Sequence, residues 1–378
     1  MIPCQRFLFD IPDDVAYLNC AYMAPLMKPA LEAGTAGLAR KAQPWRIAPE
    51  QFFTGAEEFR ATAAQFFACS ADNIAIVPSA SYGIATAARN LPVGRGRSVL
   101  VLAEQFPSNY YPWQRVAAEN GATVKVVPWP ADHDWTAAVL DSLNADVAIA
   151  ALPQVQWTSG GRLDLVRIGE ACRRLGAALV LDLTQSLGAL PFSAGDVQPD
   201  FAVAAGYKWL LGPYSTGLLY VAPKWQGGIP QEENWIQRAN ARDFSSLTLY
   251  SEDYDRGARR FDMGERSNFA LLPAAVRAMK QVLEWKVAQI SETVGALNRQ
   301  LAEAAAELGF SSPPERLRAP HYLALRRNQE IPKELPEMLA REKVFVSVRG
   351  SSIRVAPHVY NTAGDGDRLI SCLRRFGA

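Results

Sequence analysis

The stretch AALVLDLTQSLGALPFSAGDVQPDFAVAAGYKWLLGPYSTGLLYV, residues 177–221, decides how the whole chain is read. An apolar run closes on one acid, Asp182, and 26 residues later one lysine, Lys208, stands between Tyr207 and Trp209. No other basic residue occurs between Leu187 and Tyr220. An amine in apolar surroundings has its charged form disfavoured, so its pKa falls and it becomes a nucleophile. A carboxylate at a strand tip is costly to bury without a cationic partner. A cofactor with a carbonyl for the lysine and a basic ring nitrogen for the acid meets both needs, and pyridoxal phosphate has both groups.

Working outward, short apolar runs at 73–79, 98–104, 123–129, 146–152 and 178–182 read as strands. Segments of helical spacing lie around and between them, over 49–69, 81–92 and 163–176 and in the stretch after Phe106. Strand alternates with helix from about residue 73 to 206, which predicts a mostly parallel α/β sheet. Ligands of such sheets bind beyond the carboxyl ends of the strands. Phe106, Gln156 and Asp182 all fall at or just past predicted strand ends. The strand at 73–79 leads into a small-residue turn and a helix, an arrangement whose free N–H groups attract an anion. Ala80, Ser81 and Tyr82 are candidates there, and a cap-type serine explains Ser81 equally well.

The N-terminal 1–30 reads as an irregular arm, with Pro29 in the first turn of a helix that follows. It either covers surface or brings Asn19 and Ala21 to the cleft. Residues 31–260 form the expected large domain and 261–378 a smaller α+β domain, with strands at 321–327, 344–350 and 352–358 and helices at 332–342 and 365–377. Between 224 and 261 the chain is polar and aromatic-rich, too long for a plain loop. With 39 basic against 38 acidic residues, charge points to neither nucleic acid nor an anionic membrane. No apolar run approaches the ~20 residues of a membrane span. Five scattered cysteines without C-x-x-C fit reduced thiols in a cytoplasm. Three histidines far apart in sequence offer no metal-ligand pattern.

On YLNCAYMAPL, EQFPSNYYPW, LVLDLTQSLGALPF, GYKWLLGPYSTGLLYV, RRFDMGERSN and IRVAPHVYNT, in that order, the chain resembles class V aminotransferase-like pyridoxal phosphate enzymes of fold type I. This group includes cysteine desulfurases, kynureninases and isopenicillin N epimerase-like proteins. The resemblance implies a large domain with a mostly parallel, seven-stranded-type sheet plus a smaller C-terminal α+β domain. It implies that Lys208 carries pyridoxal 5'-phosphate as an imine and shuttles the proton at the substrate's Cα. Asp182 would pair with the pyridinium nitrogen, Gln185 would reach the phenolic oxygen, and Phe106 would stack on the ring. Ala80, Ser81 and Tyr207 would bind phosphate. Arg354 would hold the substrate carboxylate, with Asn19 and Gln156 also facing substrate. A homodimer with a shared active site, an amino acid substrate and no metal complete the expectation.

The resemblance also narrows the chemistry. Desulfurases carry a nucleophilic cysteine ahead of the carboxylate-binding arginine, and here that region reads VFVSVRGSSIRV. The expected activity is that of a class V-type aminotransferase acting through an external aldimine and Cα deprotonation. The alternatives are a C–S or C–Se lyase or an epimerase without a persulfide cysteine, and, in another class, a non-catalytic pyridoxal phosphate-binding homologue.

Overall fold

The computed structural model describes residues 1–327 and 331–375. Strand β1 (Ala16–Tyr17) lies in the N-terminal arm. The apolar runs downstream become β2 (Ile74–Val77), β3 (Ser98–Leu102), β4 (Thr123–Val127), β5 (Val147–Pro153), β6 (Ala178–Asp182), β7 (Phe201–Ala205) and β8 (Gly217–Val221). They form one seven-stranded sheet in the order β2-β8-β7-β6-β5-β3-β4. Strands β3 to β7 pair in parallel, and β8 runs antiparallel to both of its neighbours. The sheet is mostly parallel, as the alternation predicts. The exception arises because Gly206 to Thr216 turns straight back, with the Gly206 amide donating to the Thr216 carbonyl at 2.7 Å and no crossover helix between.

Both faces of the sheet are covered, and alternate residues feed two cores. Ile76, Leu100, Leu152 and Leu181 face one; Val77, Val99, Ala151, Val180 and Val203 face the other. That is why the strands read as continuous apolar runs instead of alternating ones. The helix Ala80–Asn90 lies so close to β7 that a Cβ on Gly83 would sit 2.6 Å from Val203 Cγ2. This close approach fixes where the helix N-terminus points.

A second unit contains β9 (Leu323–Arg326), β10 (Val344–Phe345), β11 (Ser347–Arg349) and β12 (Ser352–Val355). Strands β11-β12-β9 form an antiparallel sheet. Strand β1 pairs in parallel with β10, and Ala16 and Leu18 join the apolar cluster of Leu323, Ile353 and Leu369. The arm is therefore stitched to the C-terminal unit before it crosses to the strand ends of the large sheet.

Several boundaries move. The stretch 273–306, whose residues read as one long helix or two, forms two, Leu271–Trp285 and Val287–Ala306, broken at Lys286 with φ +62°. The helix expected from 81 starts at Ala80, and its cap is Ser79, whose Oγ accepts from the Tyr82 amide at 3.2 Å. Ser81 is thus the second helical residue and not the cap. A helix at Trp135–Ser142, capped by Asp134, has no counterpart in the sequence reading. The last helix runs Ala363–Arg375, and the expected continuation over 376–377 lies outside the described residues. Among the described residues, no helix is long and apolar enough to cross a membrane.

A buried ion network anchors the 262–266 turn to β2. Arg60 donates to both Asp262 oxygens at 3.1 and 2.8 Å, Arg266 donates to Asp262 Oδ2, and the Ile76 amide donates to Oδ1 at 2.8 Å. The two arginines hold the Asp262 carboxyl below its usual range, against the opposing effect of burial. Removing the acid would leave the buried Arg266 without its ion pair and Arg60 with only Glu57, at 3.4 Å. Asp262→Ala should therefore lower equilibrium stability in urea by about 3–5 kcal/mol. Glu58→Gln, which breaks an exposed pair with Lys280, should change it by less than about 1 kcal/mol.

Candidate active site

Beyond the carboxyl ends of β2, β3, β5, β6 and β7 lies a cavity of about 350 Å³. A strand-end position is where an open α/β sheet gathers residues from several loops at once. Seven of the sequence-predicted residues line it, Ala80, Ser81, Phe106, Asp182, Gln185, Tyr207 and Lys208, and Tyr82 does not.

Asp182 is the last residue of β6, in register with Val203 of β7. Lys208 follows β7 by three residues. Both are buried, 8% and 6% exposed, yet among the described residues no ion pair joins them. Asp182 Oδ1 accepts from the Thr184 amide at 3.0 Å. Burial pushes the Asp182 carboxyl up, and the Thr184 hydrogen bonds and the Lys208 charge pull against it. Burial likewise brings the Lys208 amine down to about 8, with Asp182 opposing and Arg354 and Arg349 adding to the fall. The amine faces two rings, 5.8 Å from the centroid of Phe106 and 5.5 Å from that of Tyr207.

Gln185 is held from three sides. Its Oε1 accepts from the Trp209 indole N–H at 3.1 Å, which fixes the orientation of the amide. Its Nε2 donates to the Ala21 carbonyl at 3.0 Å, leaving a second N–H for the cavity. Its own backbone carbonyl takes a hydrogen bond from His321 Nε2 at 2.7 Å. A carbonyl only accepts, so Nε2 carries the proton, and burial lowers the His321 pKa to about 4, keeping the ring neutral. His358 stands near the same Trp209 ring, so two histidines far apart in sequence meet behind the lysine.

The first two residues of the helix, Ala80 and Ser81, form part of the cavity wall, and the first N–H groups of a helix have no acceptor within it. Ser79 and Ser81 hydroxyls lie 2.9 Å apart beside them. The Tyr207 hydroxyl is pushed up to about 12 by burial and by Tyr214, so it stays a neutral donor.

Three predicted residues stand off the cavity wall. Arg354 is buried, donates from Nη1 to the Trp157 carbonyl at 3.2 Å, and has a buried Nε with no partner. Asn19 accepts from Ser347 Oγ at 2.8 Å, one strand from Arg354. Gln156 turns inward: its Oε1 accepts from the amides and hydroxyls of Thr158 and Ser159 at 2.7–3.0 Å and pins the turn. Trp157, beside it, lines the cavity instead, with its ring 5.3 Å from Phe106 in an edge contact.

Asn109, Gln105, Thr184 and Tyr214 also line the cavity and have no place among the sequence candidates. Asn109 Oδ1 accepts from the Trp113 indole at 3.0 Å, while its buried Nδ2 has no partner. The only sequence signal for the Phe106–Asn109 turn that carries it is Phe106 itself.

The comparisons agree with this geometry. A model for "Aminotransferase class-V" matches residues 46–365. The chain belongs to the class V aminotransferase family. It is 27% identical over 332 residues to an uncharacterized aminotransferase of Bacillus subtilis (strain 168), covering 86% of this chain and 84% of that one. It is 28% identical over 326 residues to a kynureninase of Deinococcus radiodurans, covering 79% and 75%. Among solved structures, an apo cysteine desulfurase from Thermococcus onnurineus NA1 superposes with a TM-score of 0.83 at 16% identity, over 100% of this chain and 98% of that one. The cystine C–S lyase C-DES, in complex with cysteine persulfide, gives 0.83 at 20% identity, over 96% and 97%. These two likenesses show the fold, fold type I.

The protein is a pyridoxal 5'-phosphate-dependent enzyme of this class V family. The cavity's donor set suits that cofactor. It offers a depressed amine for a carbonyl, a buried carboxylate without a cation for a ring nitrogen, helix-end amides and hydroxyls for a phosphate, and an aromatic wall for the ring.

The depressed amine makes a prediction for the cofactor-free protein. In the unfolded chain Lys208 keeps its proton up to about 10.5, in the folded chain only up to about 8. Between these values the unfolded chain binds the extra proton, so stability rises with pH through this window and falls as pH drops through 8. Lys208→Met should abolish that rise. Measured by urea midpoint against pH, the variant should be more stable than wild type at pH 7, by roughly 3 kcal/mol, with the gap closing above pH 10.5.

Proposed function

We propose that the protein is an aminotransferase that moves the amino group of an amino acid to a keto acid, with Lys208 as its proton carrier. One observation carries the reading: among the described residues lining the cavity, Lys208 is the one amine, Asp182 the one carboxylate, and there is no thiol. Cys20, nearby, is buried and donates toward the Lys208 carbonyl at 3.9 Å, and burial pushes its thiol far up. A persulfide route thus has no thiolate in the cavity lining to use.

When bound, the cofactor supplies an electrophilic carbon for the substrate's amine and a ring that accepts electron density from Cα. The chain's own residues do the rest in this reading. Asp182 pairs with the ring nitrogen and keeps it protonated. Gln185 Nε2 would donate to the phenolic oxygen, Phe106 would wall the ring, and the Ala80 and Ser81 amides with the Tyr207 hydroxyl would hold the phosphate. Arg354 binds the substrate's α-carboxylate through a bidentate fork, and Asn19 reaches substrate from the arm. Lys208 Nζ, neutral in a large fraction near pH 8, takes the proton from Cα and gives it back when the group has moved.

A second reading, β-elimination, draws on the same thiol-free cavity together with the fold likeness to a cystine C–S lyase. We also infer a cytoplasmic homodimer. Leu31, Leu38, Leu249 and Tyr250 leave large apolar side chains exposed, and Tyr214 is exposed at the cavity. Light scattering should give twice the chain mass of 41.4 kDa.

Two expectations test the activity. With a panel of amino acids, product mass spectrometry should find amino transfer only when a keto acid is added. Release of pyruvate without an acceptor would replace transfer by elimination. Lys208→Ala should keep the fold and lower turnover by roughly 10²- to 10⁴-fold.

A further inference from the structure

The hairpin of β11 and β12 places two arginines on one face. Ser347 pairs with Arg354 and Arg349 with Ser352, and side chains directly opposite or two residues apart along a strand point the same way. That face meets the large domain and the N-terminal arm. Ser352 Oγ donates to the Thr158 carbonyl at 3.4 Å, Ser347 Oγ to Asn19 Oδ1, and Arg354 Nη1 to the Trp157 carbonyl. Trp157 is itself cavity wall. Arg349, diagonal to Arg354, therefore looks toward the same mouth from two pairs further out on the hairpin.

Neither guanidinium has an acid. Among the described residues no ion pair involves Arg349 or Arg354; Arg349 Nη1 donates only to the Val348 carbonyl, and Arg354 Nε is buried without a partner. The groups that act on Arg349 electrostatically are Arg354 and the phenols of Tyr322 and Tyr22. Both guanidiniums reach far enough to lower the Lys208 amine. Two like charges diagonal to each other repel unless an anion stands between or beside them.

We propose that the substrate is an amino acid with a second anionic group on its side chain, its α-carboxylate on Arg354 and its side-chain acid on Arg349. The inference rests on the α-carboxylate role given to Arg354 above and adds the substrate class. The order of the two arginines supports this division. Arg354 is buried and fixed by Trp157, which suits the group common to all amino acids, while Arg349 is exposed near the hairpin tip, where a side chain of variable length would end. Arg is suited to both because its planar fork matches a carboxylate.

The test titrates the cofactor-loaded protein, following the absorbance of the bound cofactor, with L-aspartate and L-glutamate against their neutral isosteres L-asparagine and L-glutamine. At least one acid should bind roughly tenfold or more tighter than its amide, as expected for one added charge-assisted fork. Arg349→Gln should bring the acid-to-amide ratio close to one without weakening the amides, and Arg349→Lys should restore part of it. Arg354→Lys should weaken acids and amides alike. Because Arg349 is exposed, melting curves of its variants should match wild type. Equal binding of acid and amide by wild type would overturn the proposal, and so would an unchanged ratio in Arg349→Gln or an equal loss for both ligands. Preferential acid binding without amino transfer would instead leave the substrate class standing and sink the aminotransferase reading.

Discussion

Two opposite charges share one cavity without touching. Asp182 and Lys208 are each buried, each is driven toward its neutral form by burial, and among the described residues no ion pair relieves them. Burying a charge without a partner is strongly unfavourable. The arrangement persists because the scaffold over-determines it. Asp182 ends one central strand, Lys208 follows its neighbour, and the two strands are locked in register. Both strands are covered on either face by apolar clusters. The protein thus keeps apart two groups that would otherwise neutralise each other, and a molecule placed between them relieves both.

Behind this pair the polar groups are organised to keep it open. Trp209 follows Lys208 directly and uses its indole N–H to orient Gln185. Neutral His321 holds the Gln185 backbone carbonyl and meets the Trp209 ring edge-on at 4.3 Å. The arm enters through β1 and reaches the same place, accepting from Gln185 at Ala21 and donating from Ala24 to the Tyr207 carbonyl at 3.0 Å. The lysine's position therefore depends on three separate parts of the chain.

The residues legible in the sequence are those whose chemistry contradicts their surroundings. An acid ending an apolar strand and a lysine among aromatics both stand out from the residue pattern alone, and with them come the strand ends where Phe106 lies. The alternation of strand and helix likewise implies the sheet, although the antiparallel β8 depends on a turn too tight for a crossover. Less legible are residues whose role depends on a neighbour's hydrogen bond. Ser79 and Ser81 are equally good caps by residue type, and in the fold it is Ser79 that accepts from the Tyr82 amide. Gln156 and Trp157 exchange inside for outside because the Gln156 side-chain oxygen pins its own turn. Asn109 is committed by Trp113, a local partner on the following helix, and His321 by Gln185, at a sequence separation that no local pattern reveals.

The most direct test of the account is the position of the covalent anchor. Borohydride reduction of the cofactor-loaded protein, followed by proteolysis and peptide mass spectrometry, should find the cofactor's mass on the peptide that contains Lys208 and on no other. A label on a different lysine, or cofactor released intact after reduction, would contradict it.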